Sequence, residues 1–208
     1  RNSRTKVRIL PTKLNSDLAF LLGSLIAGGY IGKNKIEFCN TDKYWISKFE
    51  KKWNNVFPDS RLHKFVRNPS SYGKKEYYRL ECHCRYTLDF LKDIGLTVSK
   101  AKDKEIPELI LRSPKHVLKE FVRSYFEGDG SLSFTKKMME IRACSMSPEL
   151  LNVLQTILLR YGIDSFRRYD RHRNIHLLQI RGKRNFLRFY KEIGFVSERK
   201  NKKLEFIL

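Results

Sequence analysis

Apolar residues recur at helical spacing from Asp17 to Ala27, where Leu18, Leu21, Leu22, Leu25 and Ile26 form one stripe. Asn15, Ser16 and Asp17 offer capping oxygens at its head, and Gly28 and Gly29 stop it. The pattern then changes to alternation. Lys35 to Asn40 reads as a strand, and Arg61 to Arg67 with Glu76 to Cys84 as a hairpin around the turn-forming Asn68-Pro69-Ser70-Ser71-Tyr72-Gly73. Between them, Asp42 to Phe57 is predicted as a helix whose Trp45, Phe49, Trp53 and Phe57 mark a core-facing stripe. Tyr86 to Ile94 is a short helix ended by Gly95.

The order then repeats. His116 to Glu127 is predicted as a helix ending at Gly128-Asp129-Gly130, and Met139 to Cys144 as an alternating strand. Ser147 and Pro148 open a helix that runs to Tyr161. Ser165 to Tyr169 and His176 to Arg181 form a second hairpin, and Arg184 to Ile193 is a helix closed by Gly194. The stretch from Leu88 to Leu96 is matched by Leu187 to Phe195, 99 residues later, with the Leu, Phe, Lys, Ile and Gly of 88, 90, 92, 94 and 95 repeated; Gly28 and Asp129 are 101 apart. Duplication of one unit explains both landmarks. The expectation is an α/β (α+β) chain of two pseudo-symmetric αββαββα halves, 1–106 and 107–208, each with an antiparallel sheet, joined through the segment from Leu96 to Pro114.

Composition narrows the class of partner. The chain has 208 residues, of which 41% are hydrophobic, enough for a packed core and against intrinsic disorder. Lys and Arg number 43 against 22 Asp and Glu, a net charge of +21, which points to a polyanion. No apolar run reaches the roughly 20 residues of a membrane span, so no membrane partner is expected. No secretory signal is visible, and the chain begins at Arg1 rather than Met. The cysteines are Cys39, Cys82, Cys84 and Cys144. Cys82-His83-Cys84 lacks the spacing of a zinc site, and its two cysteines read as strand thiols on one sheet face. Free thiols suit an intracellular setting, cytoplasmic or organellar.

The stretch Phe121 to Leu132 carries the chemistry: a helix ends in Glu127-Gly128-Asp129-Gly130-Ser131, a carboxylate between glycines. The earlier copy is Phe20 to Ile31, with Gly23, Ser24 and Ala27 small enough for two helices to approach closely. Carboxylates at the base of such a pair meet at the dyad and hold hard divalent cations, which activate water against a phosphodiester.

These two segments resemble the paired motifs of the LAGLIDADG homing endonucleases in their single-chain, two-repeat form. The resemblance implies site-specific hydrolysis of a long double-stranded DNA target associated with an intron or intein, with magnesium and a monomeric protein. In the family each motif ends in an acidic metal ligand; here the second supplies Asp129 and the first supplies Gly28. The implied metal site is thus Asp129 and the Gly28 position, with Ala27 and Gly128 beside them. Neither Glu37 downstream nor Asp17, about three helical turns upstream, stands in for the missing ligand. Three readings of Gly28 are open: a substitution introduced to trap an uncleaved complex, natural decay to a nucleic-acid-binding protein, or a site in which a backbone carbonyl and waters hold enough metal for nicking. The family also places a basic residue late in each repeat. Alignment of the two repeats with one gap pairs Lys102 with Lys200 as candidate catalytic lysines. Intron RNA is the alternative partner, since the family fold also serves maturases. The ends of the chain lack the Cys or Ser head and His-Asn tail of an intact intein.

Twisted antiparallel ribbons fit the DNA major groove. On the polar faces of the predicted strands, Lys35, Glu37, Arg79, Glu81, His83, Glu140, Arg142, Gln179 and Arg181 are candidate base readers. Arg61, Lys64, Arg67, Lys136, Arg167 and Arg168, together with Lys13, Lys74, Lys75, Lys137, Arg171 and Arg173, suit phosphates. Arg199 to Lys203 reads as a solvated basic tail.

Overall fold

A computed structural model describes residues 9–69, 75–96, 100–134 and 139–206. The first half runs α1 (Ser16–Gly28), β1 (Gly29–Ile31), β2 (Ile36–Asn40), α2 (Lys43–Val56), β3 (His63–Arg67), β4 (Tyr77–Cys82) and α3 (Arg85–Asp93). A 3-10 turn (Ala101–Asp103) and the short α4 (Glu108–Leu111) lead to the second half. There α5 (Lys115–Gly128), β5 (Gly130–Phe134), β6 (Met139–Ser145), α6 (Pro148–Arg160), β7 (Ser165–Asp170), β8 (Ile175–Arg181) and α7 (Lys183–Glu192) follow the same order, and α8 (Glu198–Glu205) is added. The sheets are β1-β2-β4-β3 and β5-β6-β8-β7, antiparallel throughout. The fold is mixed α/β, built twice.

The core forms where each sheet's apolar face meets its helices. Helix α1 is buried all round: every residue from Leu18 to Ile26 is inaccessible, including Gly23 and Ser24. That fits its position between α2 on one side and α5 on the other. Asn15 caps it, its side chain accepting from Leu18 N at 2.8 Å. Asp42 caps α2 and Ser147 caps α6 in the corresponding way. The aromatic stripe of α2 stacks into the core, with Phe38 and Phe49 parallel at 4.3 Å.

Two features differ from expectation. Strand β4 ends at Cys82, so Cys84 does not continue its face; Cys84 starts α3, and all four cysteines are free thiols. The basic tail is a helix. Ser197 caps α8, Leu204 is buried, and Asn201 bonds the backbone of Phe195 in both directions. Charge periodicity hid one buried Leu and one buried Lys among solvated neighbours.

The approach of α1 to α5 leaves no room for side-chain atoms. A Cβ on Gly23 falls 2.2 Å from Ser124 Oγ and 2.3 Å from the Phe121 carbonyl oxygen, and one on Gly128 falls 2.6 Å from Ala27 Cβ. Gly28 differs: its nearest neighbours are the Cys39 carbonyl oxygen at 3.4 Å and Phe38 Cε2 at 3.5 Å. Gly23→Ala is therefore expected to lower stability by about 1–3 kcal/mol through overpacking, seen as a fall of roughly 3–10 °C in thermal melting. Gly28→Ala is expected to leave the melting temperature within a couple of degrees, roughly the size of a surface substitution. Equal effects would mean that the helix crossing is not the tight point.

Candidate active site and nucleic-acid interface

The two motif helices end side by side, because Ala27 and Gly128 touch where α1 and α5 finish. Helix C-termini carry unpaired carbonyls and negative potential. Two lysines answer it. Lys200 Nζ donates to the carbonyls of Phe126 (3.2 Å), Glu127 (2.5 Å) and Gly130 (3.0 Å), and lies 3.7 Å from Glu127 Oε1. Lys104 Nζ donates to the Ile26 carbonyl at 2.5 Å. Ile26 and Glu127 occupy the same place in the two motifs, 101 residues apart, so Lys104 and Lys200 are the related pair.

Asp129 is the C-cap of α5, its N–H donating to the Tyr125 carbonyl at 3.0 Å. Burial raises its pKa from 3.8 to about 7, although Lys104 and Lys200 pull it down. Burial likewise depresses Lys200, against the opposing effect of Glu127. At this point of the molecule the carboxylates of Asp129 and Glu127 therefore face two ammonium groups. Ala27 and Gly28 on α1, and Gly128 on α5, bring backbone only. Among the described residues no group of three or more His, Cys, Asp or Glu could hold a metal ion.

The structure places Lys102 in the exposed 3-10 turn and brings Lys104 to the site in its stead. Lys100, Lys102 and Lys104 alternate in sequence, so a one-gap alignment cannot choose among them. Lys200 lies in a helix, whereas Lys104 follows a 3-10 turn in extended chain, so equal residue counts cover unequal distances. Glu127 was not singled out by sequence reasoning; its Oε2 accepts from Val196 N at 2.8 Å and Ser197 N at 3.0 Å, latching the chain before α8 onto α5.

The sheets carry the predicted polar faces. Tyr30, Glu37, Glu81 and His63 lie in one cross-strand row, and Ser131, Arg142, Gln179 and Phe166 in the corresponding row of the other sheet. On the first sheet Lys35 pairs with Glu37 at 3.0 Å, Arg79 with Glu81 at 3.0 Å, and His83 with Glu81 at 3.4 Å. On the second, Arg142 and Arg181 each reach Glu140 at 3.3 Å, and Gln179 Nε2 donates to it at 2.7 Å. Arg67 and Arg79 lie over the ring of Phe65. Arg61 is exposed ahead of β3, and Arg168 is exposed on β7 opposite Leu177. Lys64 and Arg167 fall opposite Leu80 and Leu178, in rows whose central residues face the core, and Lys64 pairs with Glu50 of α2 at 3.0 Å. Their exposure comes from the edge strands they occupy. Lys136, with Lys74 and Lys137, lies outside the described residues.

Comparison with known proteins defines the class. The pattern of the LAGLIDADG-like domain matches residues 15–95 and again 116–194. The chain belongs to this family, in its two-repeat form. Its fold is that of the homing endonuclease I-DmoI: the structure of I-DmoI in complex with DNA and Ca superposes with a TM-score of 0.64 at 15% identity, over 92% of this chain and 97% of that one. Full-length DUF199/WhiA from Thermatoga maritima superposes with a TM-score of 0.62 at 16% identity, over 96% and 61%. In sequence, the Replication factor C small subunit of Methanocaldococcus jannaschii is 32% identical over 199 residues, 91% of this chain and 10% of that protein. Subunit Rpo1C of the DNA-directed RNA polymerase from the same organism is 24% identical over 193 residues, 93% of this chain and 21% of that one. The chain spans about a fifth or less of these relatives. No helix among the described residues is long and apolar enough to cross a membrane.

The raised pKa of Asp129 has a defined sign. The fold favours its neutral form, so that stabilisation is full below pH 4 and is lost as pH rises towards 7. Asp129→Asn is therefore expected to melt at the same temperature as the unsubstituted protein at pH 4 and roughly 2–6 °C higher at pH 8 in the absence of DNA. A lower melting temperature at pH 8 would show instead that the two ammonium groups outweigh burial.

Proposed function

We propose that this chain is a site-specific DNA-binding protein of the homing-endonuclease type, carried as an inserted module, in which Gly28 has removed one of the two carboxylates that double-strand cleavage requires. The observation that carries this reading is the junction of α1 and α5. Asp129 and Glu127 stand there with Lys104 and Lys200, so the two lysines offset the two carboxylates and leave no surplus negative charge. Such a site is poor in free ligands for a divalent cation, which needs several hard oxygens. As built, the protein donor set does not fit a resident metal: Glu127 is held by Lys200 and by the N–H groups of Val196 and Ser197, and the Ile26, Glu127 and Gly130 carbonyls already accept from lysines, which leaves Asp129.

Other features support the DNA partner. The net charge is +21, and each sheet presents Arg and Lys side chains on a polar face. Structures of I-DmoI have been determined in complex with DNA and Mn and in complex with DNA and Ca. The inserted-module reading rests on the relatives. A replication factor, an RNA polymerase subunit and the Glutamine--fructose-6-phosphate aminotransferase of M. jannaschii, 26% identical over 205 residues, have no chemistry in common. Yet each contains a segment like this chain, as an intron- or intein-associated element would leave.

Duplexes selected from a randomised pool test the reading. Binding is expected in EDTA as well as in magnesium, with affinity falling by roughly 10³–10⁵ between 50 and 200 mM salt for 6–10 phosphate contacts. Gly28→Asp, for which the Cβ has space, is expected to raise magnesium-dependent cleavage of the selected duplex at least about tenfold, equivalent to about 1.4 kcal/mol of barrier. Equal cleavage by both forms defeats the assignment of Gly28; absence of any selected sequence defeats the DNA reading itself.

A further inference from the structure

The two polar sheet faces are not copies of one another. Ile36 pairs with Ile31 and Cys82, as Ile141 pairs with Leu132 and Ile180. From that register Lys35 corresponds to Glu140, Glu37 to Arg142, Glu81 to Gln179, Arg79 to Leu177 and His83 to Arg181. Acid and base have exchanged places at the first two positions. Each sheet nevertheless solves the same problem. On the second, the Glu140 side chain is 1% exposed, while Arg142 and Arg181, which pair with it, are 31% and 43% exposed. On the first, the Glu81 side chain is 10% exposed beneath Lys35 at 38% and His83 at 54%.

A carboxylate sunk this far cannot reach a base edge: the cations above it meet the duplex first. An unpaired buried charge is costly, so Glu140 holds its partners in place. Its Oε1 engages Arg142 Nη1, and its Oε2 engages Arg181 Nη2 and Gln179 Nε2. A guanidinium carries five N–H donors, so each arginine held by one edge keeps others directed away, in the planar fork that matches guanine O6 and N7.

We propose that Glu140 is a positioning residue that orients Arg142 and Arg181 for guanine-rich contacts in one half of the target, and that Glu81 orients a different pair, Arg79 and His83, in the other half. This rests on the DNA reading above and adds to it that base preference in each half-site is governed by its own sunken carboxylate.

The test is selection from a fully randomised duplex pool by the full chain, by Glu140→Gln and by Glu81→Gln, with the salt dependence of binding measured for each. Glu140→Gln is expected to lose base preference over a contiguous block in one half-site, Glu81→Gln over a block in the other, and both to keep the salt slope of the unsubstituted protein. On the preferred duplex Glu140→Gln is expected to weaken binding about tenfold, and less than twofold when Arg142 is already Ala, since its effect passes through that residue. Should Glu140→Gln not fold, Arg142→Gln and Arg181→Gln, at side chains that are partly exposed and exposed respectively, are expected to erase preference within a single half-site. Unchanged selection by Glu140→Gln, loss in both halves alike, or Arg142 and Arg181 affecting opposite halves overturns the proposal while leaving DNA binding intact. Failure of the unsubstituted chain to select any sequence overturns both.

Discussion

The α1–α5 contact sets the geometry of everything at the centre of this molecule. Two helices meet at backbone distance because Gly23 faces Ser124 and the Phe121 carbonyl, and because Ala27 meets Gly128 about one turn on. Contact in the middle and at the C-terminal end fixes both the crossing and the place where the helices stop. Each sheet begins immediately after its helix, β1 at Gly29 and β5 at Gly130. The same contact that buries the core therefore also brings the heads of both sheets to one end of the helix pair, with positions 28 and 129 between them.

That junction gathers charged side chains and helix-end carbonyls at one place. Two helix C-termini converge, each with carbonyls that lack intrahelical partners. Lys104 and Lys200 satisfy some of them, and Asp129, half-enclosed at the end of α5, has its ionised form disfavoured. A second carboxylate at position 28 would add like charge to a site that already disfavours one. Gly28 adds no such charge.

Much of this was legible in the sequence, for identifiable reasons. The helices and strands declared themselves through apolar period and caps: Asn15, Asp42 and Ser147 each do what their position suggests. The duplication was visible because it preserved a whole helix and its terminal glycine, Gly95 and Gly194. The vacancy at position 28 was visible because the motif around it is intact. What escaped was set by three-dimensional spacing. Lys104 could not be told from Lys102, because the choice depends on whether the chain is coiled or extended on the way. The depth of Glu140 was obscured because alternation shows which face a residue lies on, and not how deeply it sits there. The apparent tail concealed α8, because Lys200 and Leu204 are outnumbered by solvated charges.

Lys104 has one more consequence. It belongs to neither repeat as matched, which end at 95 and resume at 116, but to the tether between them. The connection is thus not a neutral cord that holds two lobes together. A severed first lobe, paired with a second copy of itself, would keep Gly23 on each side of the crossing and yet bring its own lysine only if the cut fell beyond position 104. The joining segment is therefore part of the α1–α5 junction, and its length is constrained by the reach of Lys104 to the Ile26 carbonyl.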